Sequence, residues 1–130
     1  MIVLDTHIWI WWVHGDERLS GRQAEVIAAQ ESDSIGISAI SCWEAAKLAE
    51  RGSLVLPLSI EEWMSRATQY PGLSVLPLTP QIATTSTRLP GDFHQDPADQ
   101  IIVATALVHR CPLVTSDKKI LAYGHVETIS

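Results

Sequence analysis

Four acidic residues stand where apolar runs give way to helical ones: Asp5 in I-V-L-D-T, Glu44 in S-A-I-S-C-W-E-A-A-K, Asp99 in D-P-A-D-Q-I-I-V-A-T-A, and Asp117 in P-L-V-T-S-D-K-K. In a parallel α/β sheet the carboxyl ends of the strands form the crevice where ligands bind. Acids from distant parts of the chain then converge on one rim. Bare carboxylates packed together repel, by roughly 4 kcal/mol for two charges about 4 Å apart at an effective dielectric near 20. A bound divalent cation removes that penalty, and hard oxygen ligands suit Mg²⁺ or Mn²⁺.

Capping is the competing explanation. Acids make good helix N-caps, worth about 0.5–2 kcal/mol each, and favour the positive end of the helix dipole. Ser41-Cys42-Trp43-Glu44 matches a capping box. Asp96-Pro97-Ala98-Asp99 reads as a cap, a proline at the first helical position and an acid in the first turn. Asp117 and Asp5 stand where they can cap as well. Two features favour chemistry. Asp99 shares a helical face with Ile102, Val103 and Ala106, so it points towards the core side, where a charge needs a partner. The sequence offers no basic residue nearby on that face. Moreover, capping explains any one acid but not four at one end of one sheet.

The elements that must position these acids alternate. Ile2–Leu4 reads as a buried strand, followed by a Trp-rich helix from Thr6 to Val13. Ser20 opens a helix to about Gln30, 34–38 is a second strand, and the Glu44 helix ends near Arg51 and Gly52. Leu54–Leu58 is extended and broken by Pro57, and Ser59 starts another helix. Strands follow at 73–78, 113–115 and 125–129, with helices from Thr79 to about Leu89, at 97–110 and at 118–122. Alternating strands and helices imply a parallel sheet with right-handed crossovers.

Composition sets outer bounds. A chain of 130 residues, nearly half of them apolar and 18% charged, is one domain spanning 1–130, with enough chain to bury roughly two thirds of its unfolded surface. A formal charge of −6 argues against coating nucleic acid by bulk charge. It does not argue against an enzyme whose acids are offset by metal. Cys42 and Cys111 lack CxxC or zinc spacing, and buried, reduced thiols in a cytoplasmic protein are the simplest account. Asp5 and His7 interrupt the apolar start, which has no basic leader, so it is not read as a signal peptide. No stretch is long enough to span a bilayer.

The order and spacing of L-D-T, W-E, D-P-A-D-Q-I-I-V-A-T-A and L-V-T-S-D, with L-P-G-D-F-H before the D-P-A-D turn, resemble the PIN-domain ribonucleases. Within these, the chain is most similar to the VapC-type toxins of toxin–antitoxin modules. The resemblance covers nearly the whole chain. It implies a three-layer α/β/α sandwich with a mostly parallel sheet, and a Mg²⁺- or Mn²⁺-dependent site that cuts RNA. Carried over by position, Asp5, Glu44, Asp99 and Asp117 fall on the family's acidic quartet, and Asp96 on a frequent extra acid. Gln100 departs from it, standing where a basic residue is common.

The chemistry so implied, hydrolysis of a phosphodiester, needs an activated water and relief of charge on phosphoryl oxygens, both of which carboxylate-held metal supplies. Asp5 and Asp99 are expected to contact metal directly. Asp117 and Glu44 bind a second ion or orient water as base. Thr6, Thr115 and Ser116 are candidates to orient carboxylates or phosphate, or are plain strand-end hydroxyls. Lys47 and Arg51, on Glu44's helical face, either steer phosphates or form a solvated Glu–Lys face. His7 and His94 lie near the acids, but an oxygen-rich site does not need imidazole.

Trp9, Trp11 and Trp12 cannot all face one way, so at least one is expected exposed or at an interface. The resemblance implies a homodimer and a small cognate antitoxin. An inhibitor's guanidinium, which pairs bidentately with carboxylates, suits the acidic pocket. Two rivals remain at this stage. An aspartate-nucleophile phosphotransferase wants a second Asp where His7 stands, and a non-catalytic binding module would keep the fold without turnover.

Overall fold

Short, wholly apolar strands need cover on both faces, and the pleat provides for it. In a computed structural model describing residues 1–30 and 34–130, Ile2 and Leu4 of β1 (Ile2–Leu4) pack into one hydrophobic cluster and Val3 into another. Successive side chains of a strand point to opposite faces. β4 (Leu113–Val114) divides in the same way, Val114 to the first cluster and Leu113 to the second. The sheet is therefore the middle of three layers.

Five strands form that sheet in the order β3-β2-β1-β4-β5, with every pairing parallel. β2 is Ile35–Ser38, β3 Leu73–Leu76 and β5 Thr128–Ile129. From β1 the chain winds outwards through β2 to β3, then returns to the other side of β1 for β4 and β5. The order thus reverses beside β1, where open α/β sheets place their ligand crevice. Gly36 allows β3 close, since a Cβ there would lie 2.7 Å from Leu76 Cδ1.

One face carries α1 (Thr6–His14), α2 (Gly21–Ala29), α3 (Ala39–Glu50) and α4 (Ile60–Ala67). The other carries α6 (Pro97–His109) and α7 (Lys118–Leu121), with α5 (Pro80–Ser86) packed on α6. Trp9 is fully buried in the first cluster, and its Nε1 donates to Ala67 O at 3.0 Å, joining α1 to the end of α4. Trp63 Nε1 likewise donates to His14 Nε2 at 2.8 Å.

Four expectations need correction. The Ser41–Glu44 capping box does not form, because α3 begins earlier. Ser38 is its N-cap, its side chain accepting from Ile40 N, and Ser41 is buried inside the helix. β3 stops at Leu76, where Pro77 has no N–H for the ladder. Trp11 and Trp12 are half-buried rather than exposed, and the exposed tryptophan is Trp43, on α3, with 56% of its surface accessible. Cys42 and Cys111 are free and only partly buried. No helix among the described residues is long and apolar enough to cross a membrane.

Candidate active site

β1 and β4 flank the point where strand order reverses, and each ends in an acid-bearing turn. Asp5 follows β1 directly and caps α1: its Oδ1 accepts from Thr6 N at 2.8 Å. Its Oδ2 accepts from Thr115 Oγ1 at 2.7 Å, so the strand-end hydroxyl after β4 fixes the acid after β1. Asp117 caps α7, accepting from Lys119 N and Ile120 N, while its own N–H donates to Thr115 Oγ1 at 3.0 Å. From the other side of the crevice α3 presents Glu44, to which the Thr6 hydroxyl donates at 2.5 Å; that hydroxyl is also 2.8 Å from Ser41 Oγ.

α6 supplies the last two. Asp96 is its N-cap, accepting from Ala98 N and Asp99 N, with Pro97 at the first helical position as its sequence implies. Asp99, in the first turn, has a partner the sequence did not show: His94 Nε2 lies 2.7 Å from its Oδ2. His94 arrives from the preceding loop, not from the helix. Gln100 holds that loop, Nε2 donating to His94 O at 3.1 Å. All five carboxylates line one cavity of about 390 Å³. Capping and convergence are thus not alternatives, since Asp5, Asp96 and Asp117 do both.

Burial and mutual repulsion raise Asp5, Glu44 and Asp99. Asp5 is only 3% exposed, and desolvation pushes its carboxyl up, against the opposing pull of His7, Thr115 and the Thr6 amide. Desolvation likewise lifts Glu44 and Asp99, and in both the neighbouring acids add to the shift. The Thr6 hydroxyl partly offsets it for Glu44, and His94 for Asp99. Against five carboxylates the cavity wall sets one permanent cation, Arg18, and the imidazole of His7.

That donor set fits a hard divalent cation: carboxylate oxygens only, each able to accept through more than one lone pair. Among the described residues, however, no three His, Cys, Asp or Glu side chains are grouped so as to hold an ion as they stand. Each acid is instead tied to a protein donor: Thr6, Thr115, His94, or the amides that begin α6 and α7.

The other expected residues divide. Thr6 and Thr115 orient carboxylates. The Ser116 side chain does not, as its hydroxyl accepts from Gln23 Nε2 at 2.9 Å. Ser116 N donates to His7 Nε2 at 3.0 Å, leaving His7 Nδ1 3.7 Å from Asp5 Oδ2. His7 is therefore a link between the turns after β1 and β4. Lys47 and Arg51 are not brought to the cavity, and the Lys47 ammonium is held by Glu50 at 2.9 Å. Arg18 was missed by sequence reading. It sits between helices, outside any motif, and only the fold returns it to the crevice.

Comparison with known proteins agrees with this architecture. The PIN domain family model matches residues 2–126. Ribonuclease VapC22 of Mycobacterium tuberculosis is 32% identical over 129 residues, spanning 99% of this chain and 96% of that protein. A toxin–antitoxin complex from Klebsiella pneumoniae contains a chain of the same fold, with TM-score 0.70, 21% identity and coverage of 100% and 97%. VapBC2 from Rickettsia felis, bound to a DNA fragment from its promoter, gives 0.69, 14%, 99% and 98%. A parallel sheet with an acidic crevice at its switch point and a family match over almost its full length place this chain in the PIN domain family, among the VapC ribonucleases.

Proposed function

We propose that this protein is a Mg²⁺- or Mn²⁺-dependent endoribonuclease toxin that hydrolyses phosphodiester bonds in RNA in the cytoplasm and is neutralised by a cognate antitoxin. The observation that carries this reading is the convergence of Asp5, Glu44, Asp96, Asp99 and Asp117 on one cavity, three of them held above their ordinary titration range. Likeness to a ribonuclease over nearly all of both chains, and to the fold found in toxin–antitoxin complexes, supports it.

Asp5 and Asp99 would hold the cation directly, with Asp117, Glu44 and Asp96 completing the set or orienting the attacking water. The ion, when bound, supplies Lewis-acid activation of water and offsets charge on the phosphoryl oxygens. Thr115 and the Thr6 amide fix Asp5 in one rotamer, so little order is lost when substrate arrives. His94 does the same for Asp99. Glu44, whose carboxyl is raised by burial and so made a stronger base when ionised, is suited to take the proton of the attacking water. Ile10, Trp11, Leu48 and Leu54 wall the cavity and limit water, which strengthens every charge interaction within it.

Total RNA incubated with the purified chain tests this. Cleavage is expected with Mg²⁺ or Mn²⁺, with none in chelator and none for Asp5→Asn or Asp99→Asn. Cleavage that persists in chelator refutes the metal role, and an intact RNA pool under all conditions refutes the ribonuclease. The chain also works as a homodimer in this reading, so light scattering that finds only monomer overturns that element. An antitoxin guanidinium seated among the acids predicts that the neighbouring gene product copurifies and protects the crevice; binding that ignores Asp5→Asn and Asp99→Asn counts against it.

A further inference from the structure

We infer that the RNA strand crosses the carboxylate crevice between two cationic lips, Arg18 on one side and Lys118 with Lys119 on the other, and leaves over an aromatic hollow beside His125. This rests on the ribonuclease reading and deepens it. Three cavities run together here. Asp96, Asp99 and Asp117 line both the main cavity and a second one of about 440 Å³. Of these two, Arg18 lines only the first, and Lys118 and Lys119 line only the second. The acids therefore lie between the two groups of cations. His94 and Lys119 also line a third hollow, of about 440 Å³, which continues to Phe93 and His125.

An overall charge of −6 makes the placement informative. Three of the nine Lys and Arg residues line these contiguous cavities. An anionic strand approaching five carboxylates needs local positive charge on either side of the reacting phosphate, because the rest of the surface repels it. Arg18 is fixed for this task. Its Nε and Nη2 bond to Asp16, and its guanidinium lies 5.0 Å from the Trp11 ring centroid. The Asp16 bonds leave Nη1 available for a phosphate oxygen. Among the described residues Lys118 and Lys119 have no carboxylate within ion-pair reach, whereas Lys47 pairs with Glu50 and lies outside these cavities.

In the third hollow Phe93 packs edge-on against Tyr123, with ring centroids 4.8 Å apart, and Tyr123 lies 5.3 Å from His125. Tyr123 is buried, with its hydroxyl donating to Pro90 O, so the exposed ring on offer to a base is His125. Base stacking on an aromatic is sequence-tolerant, and phosphate contacts carry no sequence information. The track therefore sets affinity and register rather than the cleaved sequence.

Kinetics of RNA cleavage across a salt series, on the full chain with Mg²⁺ or Mn²⁺, tests this. Arg18→Gln and the double variant Lys118→Gln/Lys119→Gln should each lower kcat/KM about tenfold at low salt, mostly through KM. The salt dependence should flatten by about 0.7 in log–log slope per lost phosphate contact. His125→Ala should lower kcat/KM several-fold with an unchanged slope, and Arg66→Gln on α4 should change nothing. Cleavage positions should stay the same in all variants. Melting temperatures within a few degrees of wild type separate contact loss from misfolding. If Arg18→Gln proves unstable, Arg18→Lys, which keeps the charge, should retain the slope. Unaltered slopes in both lip variants overturn the inference while leaving the ribonuclease intact; a wild type that cuts no RNA overturns the function beneath it.

Discussion

Glu44→Gln separates the cost of the acidic cluster from its chemistry better than any other single change. Glutamine has nearly the same shape, and its carbonyl oxygen can keep the 2.5 Å hydrogen bond from Thr6. What disappears is a partly buried charge facing Asp5, Asp96 and Asp99. Like charges about 8 Å apart repel by about 2 kcal/mol at an effective dielectric near 20, and the water at the crevice mouth reduces this. The relief is therefore about 1–2 kcal/mol. Against it stands the weakening of the Thr6 hydrogen bond from a charged to a neutral acceptor, a loss of about 1 kcal/mol. The net is a gain of roughly 0–1 kcal/mol, or up to about 4 °C in Tm for a domain of this size. Calorimetry in chelator at neutral pH reads it, with RNA cleavage in Mg²⁺ measured alongside. The substitution should stabilise or leave unchanged the metal-free protein, and cut activity by at least two orders of magnitude. Near pH 4.5 the gain should shrink, because the wild-type carboxyl is then increasingly protonated. A Tm several degrees lower at neutral pH, with activity retained, would refute the reasoning and make Glu44 a structural anchor.

The remaining predictions concern metal, pH and core. Mg²⁺ or Mn²⁺ should raise the Tm of wild type, by the equivalent of about 2.7 kcal/mol at a hundredfold excess over Kd, and the shift should vanish in Asp5→Asn; equal shifts in both proteins count against a site at Asp5. Asp5, Glu44 and Asp99 titrate higher when folded than unfolded, so the folded state binds more protons over that window. Their penalty is absent below the ordinary carboxylate range and complete above the raised values. Metal-free stability should therefore rise as pH falls from neutral towards about 5, and a monotonic fall in Tm over that range contradicts the assignment. Trp9→Phe removes buried volume and leaves Ala67 O without its indole donor, and should cost about 2–4 kcal/mol by denaturant unfolding with the cleavage pattern unchanged; a loss under 1 kcal/mol would show that α1 and α4 repack freely.

Local sequence determined which residues were acidic, which runs were strands and which helices, and so the class of fold. Alternation of apolar runs with capped helices, such as Asp96-Pro97 before α6 and Ser20 before α2, is a short-range signal that each segment carries by itself. Asp5 and Asp117 were legible as parts of one candidate site because a parallel sheet gathers strand ends on one rim, whereas Glu44 and Asp99 reach it from inside α3 and from the first turn of α6. What joins them was not legible. His94 reaches Asp99 from a loop, Thr115 reaches Asp5 from 110 residues away, and Arg18 returns to the crevice although its own neighbours carry no motif. The start of α3 was misplaced because Ser38 and Ser41 are both plausible caps, and the burial of Ser41 beside Thr6 decided between them. Helical geometry alone put at least one of Trp9, Trp11 and Trp12 in solvent or at an interface, yet Arg18 and His7 pack on Trp11 and Tyr70 packs on Trp12, leaving both half-buried. Hydrogen bonds and packing between segments distant in sequence depend on the relative placement of those segments, and only the tertiary structure fixes that placement.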